Sequence, residues 1–198
     1  MQKKLSLWLL SVCLGLLQAG CGSDNPAEPE AVNPEELITR ITLNLTPLDA
    51  TGQPAGAAVV VRAVDREGDG KLDQIDTLRV KTATQYRGEV ELFDGINNED
   101  IGTEVAEEAE VHQFFFTAQG AAASRLSVSA ADKESDYTTN TGTDHPVGLR
   151  FTLGVSAGGS GAAALNVVLS HFDEAPKNGK DRSDETDIDV SFPVVITN

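Results

Sequence analysis

Cysteine is nearly absent: among 198 residues only Cys13 and Cys21 carry a thiol, and both precede the part of the chain that reads as folded. The folded part therefore has neither a disulfide framework nor a cysteine metal site. Tryptophan is as scarce. The single one, Trp8, lies in the same leading segment, and two tyrosines are a poor platform for stacking on sugars. Positive charge is the third shortage, with 15 Lys+Arg against 31 Asp+Glu and a formal charge of −16. A chain this acidic lacks the basic patch that neutralises phosphates, so no nucleic-acid partner is expected. It attracts cations instead.

No apolar run is long enough to span a bilayer as a helix. The longest, Leu5 to Leu17, follows Lys3 and Lys4 and reads as the centre of a signal peptide over residues 1–20. It ends in Leu17-Gln18-Ala19-Gly20-Cys21, similar to the lipobox at which bacterial lipoproteins are acylated on cysteine and cut just before it. Gln18 stands where Leu is usual, while the small Ala19 and Gly20 fit the peptidase. Cys21 is thus the expected lipidation site, and ordinary secretion after cleavage is the alternative. Residues 21–36, rich in Ser, Asp, Asn, Pro and Glu, read as a lipidated, disordered tether, which leaves 37–198 as a single domain. Asp24, Glu28 and Glu30 resemble the acidic tracts of surface lipoproteins. These readings imply an outer-membrane lipoprotein, held by its lipid and facing the periplasm or the cell surface.

Helical periodicity is also short. Only Ile101 to Glu110, with Ile101, Val105 and Ala109 at four-residue spacing, suggests a helix, and its outer face is acidic. Elsewhere the period is two: Ile41, Leu43 and Leu45 share one face of a strand that Pro47 and the Gly52 to Gly56 turn should stop. Short runs follow at 59–64, 74–81, 85–93, 111–118, 125–130, 147–155, 162–172 and 186–197, separated by Gly, Asp and Asn turns. The expectation is an all-β fold, a two-sheet antiparallel, immunoglobulin-like β-sandwich of about nine strands with one short acidic helix.

The densest chemistry lies in Asp65-Arg66-Glu67-Gly68-Asp69-Gly70-Lys71-Leu72-Asp73-Gln74-Ile75-Asp76. Five carboxylates in twelve residues repel one another unless a cation sits among them. The spacing matches a calcium loop, with side chains of Asp65, Glu67, Asp69, Asp73 and Asp76, the carbonyl of Lys71 and Gly70 at the sharp turn. Glu67 is longer and Asp76 shorter than that pattern prefers, and Leu72 should point into the core. Ca²⁺ is the expected ion, against a solvated acidic turn.

A second group couples histidine to acid: Glu110 and His112 in one segment, His171 and Asp173 in another. Imidazole with carboxylate suits Zn²⁺ better than Ca²⁺. The two histidines meet only if strands 111–118 and 162–172 are neighbours; otherwise each caps a strand. In the last strand, Asp187 and Asp189 share a face with Ser191, which is expected to point outward.

Two patterns imitate enzymes. Gly154-Val155-Ser156-Ala157-Gly158 has the form of a nucleophile elbow, but no acid lies between Ser156 and His171 and a strand follows where a helix is needed. The glycines read as a hairpin turn. Gly159-Ser160-Gly161 likewise leads into the alternating Leu165, Val167 and Leu169 rather than a dinucleotide-binding helix. No enzyme activity is expected.

The lipobox-like start, Ile41-Thr42-Leu43-Asn44-Leu45-Thr46-Pro47, Asp65-Arg66-Glu67-Gly68-Asp69-Gly70, Glu104 to Glu110 leading into His112-Gln113-Phe114-Phe115, and Glu185-Thr186-Asp187-Ile188-Asp189-Val190 together resemble a family of small Bacteroidetes lipoproteins. Its members are often described as type 1 periplasmic-binding folds. Such folds are two α/β lobes, and this chain has neither their length nor their β-α alternation. The resemblance implies that His112 and His171 are shared with the family, that His145 is particular to this chain, and that Glu67 departs from the usual Asp-x-Asp-Gly-Asp-Gly turn. It also implies proximity to an outer-membrane receptor for a scarce nutrient. The expected function is a non-catalytic, divalent-cation-binding envelope lipoprotein that supports metal or nutrient capture with such a receptor. The alternative is a structural or adhesive sandwich that docks a protein or glycan, its acidic loops merely solvated.

Overall fold

The computed structural model describes residues 36–139, 142–173 and 175–198. The expected signal peptide, Cys21 and the expected tether up to residue 35 lie outside them. Ten strands and one α-helix occur among the described residues: β1 (Arg40–Leu48), β2 (Val59–Val64), β3 (Gln74–Ile75), β4 (Leu78–Lys81), β5 (Thr84–Phe93), α1 (Ile101–Glu107), β6 (His112–Gln119), β7 (Leu126–Ala130), β8 (Arg150–Val155), β9 (Gly161–His171) and β10 (Glu185–Thr197). They form two sheets, ordered β3-β2-β1-β5-β8-β7 and β4-β10-β9-β6. The fold is an all-β sandwich. Every pair is antiparallel except β4 beside β10, which makes the second sheet mixed.

The alternation in the sequence becomes the core. Ile41, Leu43 and Leu45 from β1, Phe151 and Leu153 from β8, Leu165, Val167 and Leu169 from β9, and Phe192 and Ile196 from β10 are all fully buried. Burial of this kind stabilises by roughly 25 cal/mol per Å² of apolar surface removed from water. One close approach is specific: Gly88 faces Phe151 across the β5–β8 ladder, and a Cβ there would collide with the Phe151 ring.

Two expectations are corrected. Residues 74–81 are two strands in different sheets: β3 pairs with β2, while β4 pairs with β10, the chain crossing over at Asp76 and Thr77. Their continuous composition hides the crossing. β1 runs one residue past Pro47, to Leu48 opposite Gln85, and ends before the Gly52 to Gly56 turn. The Pro47 carbonyl accepts from Ala55 N at 2.8 Å, so the side lacking an N–H faces the turn and the ladder to β5 loses nothing. The glycine-rich turn after Val155 is no hairpin, because it joins β8 in one sheet to β9 in the other. Arg125 ties it down, donating to the carbonyls of Ser156 and Gly159.

Three features of this fold converge at one end of the sandwich. His112 and His171 are directly opposed in the β6–β9 ladder, with His171 continuing the inward series of Leu165, Val167 and Leu169. A bulge in β10 lies beside them: Thr186 pairs with Ser170 and Ile188 with Leu169, so Asp187 is the extra residue. The segment before β1 is held by Thr39, whose N–H donates to Phe93 O (3.1 Å) and whose carbonyl accepts from Asp65 N (2.8 Å), and this delivers Glu36 to the same end. No helix among the described residues is long and apolar enough to cross a membrane.

Candidate metal centre

Glu36, His112, His171 and Asp187 each offer one donor atom, and all four atoms lie within 4.8 Å of one another. His112 Nε2 is 3.0 Å from Glu36 Oε1 and 3.7 Å from Asp187 Oδ2. His171 Nδ1 is 3.8 Å from Glu36 Oε2 and 3.6 Å from Asp187 Oδ1. The two imidazoles are 4.5 Å apart by ring centroids. None of the four side chains is more than 3 % exposed.

The outer contacts orient the rings. His112 Nδ1 is 3.1 Å from the carbonyl of Glu108, the C-cap of α1. A carbonyl only accepts, so Nδ1 carries a proton, and Nε2 is the nitrogen that faces Glu36. His171 Nε2 stands 3.0 Å from Asp173 Oδ1, a close contact off the N–H axis, which leaves Nδ1 toward the group. For His112, one nitrogen held by a carbonyl while the other faces inward is the arrangement that outer partners give to metal ligands; Asp173 stands beside the outer nitrogen of His171 without an aligned hydrogen bond. Below β6, buried Lys177 donates to the carbonyls of Ala109 (2.8 Å) and His112 (2.7 Å) and pairs with Glu134 at 3.1 Å. Burial lowers the pKa of this ammonium, and Glu134 opposes the shift.

The electrostatics are unbalanced around the four donors. His112 Nε2, both ring nitrogens of His171 and both oxygens of Glu36 are buried and make no aligned hydrogen bond. Burial pushes the Glu36 pKa up, but close polar contacts with His112 and Asp187 outweigh it and hold the group down at about 2. Glu104 on α1 is shifted the other way, raised by burial and by the charges of Glu36, Glu108 and Glu99. Negative charge is concentrated here. A dication among the donors would match two carboxylates, whereas each ion buried without a partner costs several kcal/mol.

Of the residues the sequence proposed for this group, the two histidines meet as required, Asp173 touches His171 on its outward nitrogen, and Glu110 is exposed after α1. Asp187 overturns its outward assignment, because the bulge turns it inside while Asp189 stays on the outer face, where Asn166 Nδ2 donates to it at 2.5 Å. Glu36 was the last residue of the tether in the sequence reading and is in fact buried in the domain.

The acidic loop between β2 and β3 is arranged differently. Asp65, Glu67 and Asp73 bring one oxygen each within 4.8 Å of one another. Asp65 is buried with its carboxylate accepting from Gly68 N (2.8 Å), Asp69 N (3.4 Å) and Gly70 N (2.7 Å). Gly70, at φ +81°, makes the sharp turn that the spacing required. Asp73 accepts from Arg66 N, and its hydrogen-bonding contact and charge hold the Glu67 carboxyl above its ordinary range. Asp69 pairs with the Lys71 ammonium at 2.7 Å, and Asp76 accepts from Arg62 N and Gln74 Nε2. Leu72 is 36 % exposed, so it does not anchor the loop to the core as expected. This loop closes on its own backbone.

No family model, curated protein or solved structure matches the chain.

Proposed function

We propose that this protein is a cell-envelope lipoprotein, anchored through Cys21, that binds a divalent cation without acting on it chemically. The observation that carries the reading is the buried quartet of Glu36, His112, His171 and Asp187, one donor atom from each lying within 4.8 Å of the other three. Two carboxylates balance one dication, and two imidazoles oriented by outer partners supply nitrogen donors. The resemblance to envelope lipoproteins encoded near nutrient receptors makes metal capture beside an outer-membrane receptor the role that fits. The test is elemental analysis of the purified protein followed by calorimetric titration with Zn²⁺ and Ca²⁺. One equivalent of bound dication is expected, lost in the His112→Ala, His171→Ala double variant while the β-sheet circular dichroism persists. A protein that takes up no dication at all, or a double variant that binds as the parent does, would remove the proposal.

A further inference from the structure

We propose that Glu36, His112, His171 and Asp187 form a four-coordinate site for a zinc-class dication, in which the histidines bind through different ring nitrogens and Glu36 closes the site over a platform built on one sheet; this rests on the cation-binding function proposed above.

The class follows from the donors. Ca²⁺ takes six to eight oxygens and Mg²⁺ keeps several waters. Here four side chains converge, two of them imidazoles, in a place with almost no solvent exposure. Borderline first-row dications accept mixed nitrogen and oxygen sets, and Zn²⁺ is bound tetrahedrally at about 2.0–2.2 Å, which puts neighbouring donors about 3.3 Å apart. With one donor atom taken from each residue, all four lie within 4.8 Å of one another, and His112 Nε2 and Glu36 Oε1 are 3.0 Å apart. A contraction of the group around the ion brings them to that spacing.

The mixed nitrogens follow from the outer partners. Glu108 O takes the Nδ1 proton of His112, leaving Nε2 for the ion, whereas Asp173 sits on Nε2 of His171, leaving Nδ1. The platform follows from topology. His112, His171 and Asp187 lie on β6, β9 and β10, adjacent strands of one sheet; His112 and His171 are paired in the ladder, and Asp187 is the bulge residue between the paired Thr186 and Ile188. Glu36 alone comes from outside the strands, on the segment entering β1. Its departure uncovers the ion without breaking a ladder, so the histidines set which ion binds and Glu36 sets how fast it leaves.

The experiment titrates the chelator-stripped protein with Co²⁺. One equivalent is expected to give the strong visible absorption of four-coordinate cobalt, displaced by Zn²⁺ and untouched by a large excess of Ca²⁺ or Mg²⁺. Side-chain nitrogen spectra on zinc loading should shift Nε2 of His112 and Nδ1 of His171. Asp173→Asn, an outer partner, should weaken binding by about 10- to 100-fold with the cobalt spectrum retained. Glu36→Gln, which keeps the shape of the side chain, should speed metal release to a chelator by more than that factor, its metal-free melting being recorded alongside. One equivalent of Ca²⁺ bound at this group without a cobalt spectrum would overturn the zinc-class assignment and leave the cation-binding function standing. The same nitrogen shifted on both rings would overturn the mixed ligation, and an unchanged release rate in Glu36→Gln would overturn the closing role. No dication of any kind would overturn both proposals together.

Discussion

Glu36 makes a pH prediction at the scale of one side chain. In the metal-free protein its pKa falls from an ordinary 4.5 to about 2, because contacts with His112 and Asp187 outweigh the upward push of burial. The fold therefore binds this proton less tightly than the unfolded chain does. The carboxylate stabilises the fold above pH 4.5, and that contribution is lost as the pH falls through the window to about 2. Urea midpoints of the stripped protein should decline across the window, and Glu36→Gln should flatten the decline by on the order of 3 kcal/mol at most. An equally steep decline in the variant would place the acid sensitivity elsewhere. The sequence did not reveal this residue, and the reason is local. Glu36 ends a run of Pro, Asn and Glu with the composition of a linker, and nothing in that run says that its last carboxylate turns inward. His112 and His171 were legible because each stands at the end of an alternating run beside acid.

At the scale of elements, the strands were legible from their period and the departures from period were not. Asp187 counts as outward in a regular strand, and one extra residue between Thr186 and Ile188 reverses it. A bulge is a device that re-aims a side chain, and alternation alone cannot show it. The Gln74–Lys81 crossing was hidden for a related reason: both short strands have strand composition, and only their partners differ. The segment between β9 and β10 also holds β6 in place through Lys177, whose ammonium is 2 % exposed and spans the carbonyls of Ala109 and His112 and the carboxylate of Glu134. Lys177→Met removes the cation facing a buried carboxylate, and a loss of about 3–5 kcal/mol is expected, read as a lower urea midpoint with unchanged m-value. The Lys177→Met, Glu134→Gln double variant should recover part of it. A single variant as stable as the parent would show that the ammonium is not needed there.

For the molecule as a whole, the quartet draws its donors from the chains of both sheets. Glu36 enters on the chain that becomes β1 in the first sheet, while the other three donors belong to the second. An ion held by all four cross-links the sandwich at that end. It also relieves a concentration of like charge in a chain of formal charge −16. Binding to the folded state alone stabilises by RT ln(1 + [L]/Kd), or about 2.7 kcal/mol at a free concentration one hundred times Kd. In a domain of this size that corresponds to a rise in melting temperature of roughly 5–10 °C. Zn²⁺ should produce it, and chelation should reverse it. Glu36→Gln should show a smaller rise at the same zinc concentration, because one of the two sheets then loses its hold on the ion. Sodium chloride at high concentration tests the competing explanation, in which any cation merely screens the acidic surface. If salt gives the same rise as zinc and the variant responds like the parent, the stabilisation comes from screening and the sheets are not cross-linked.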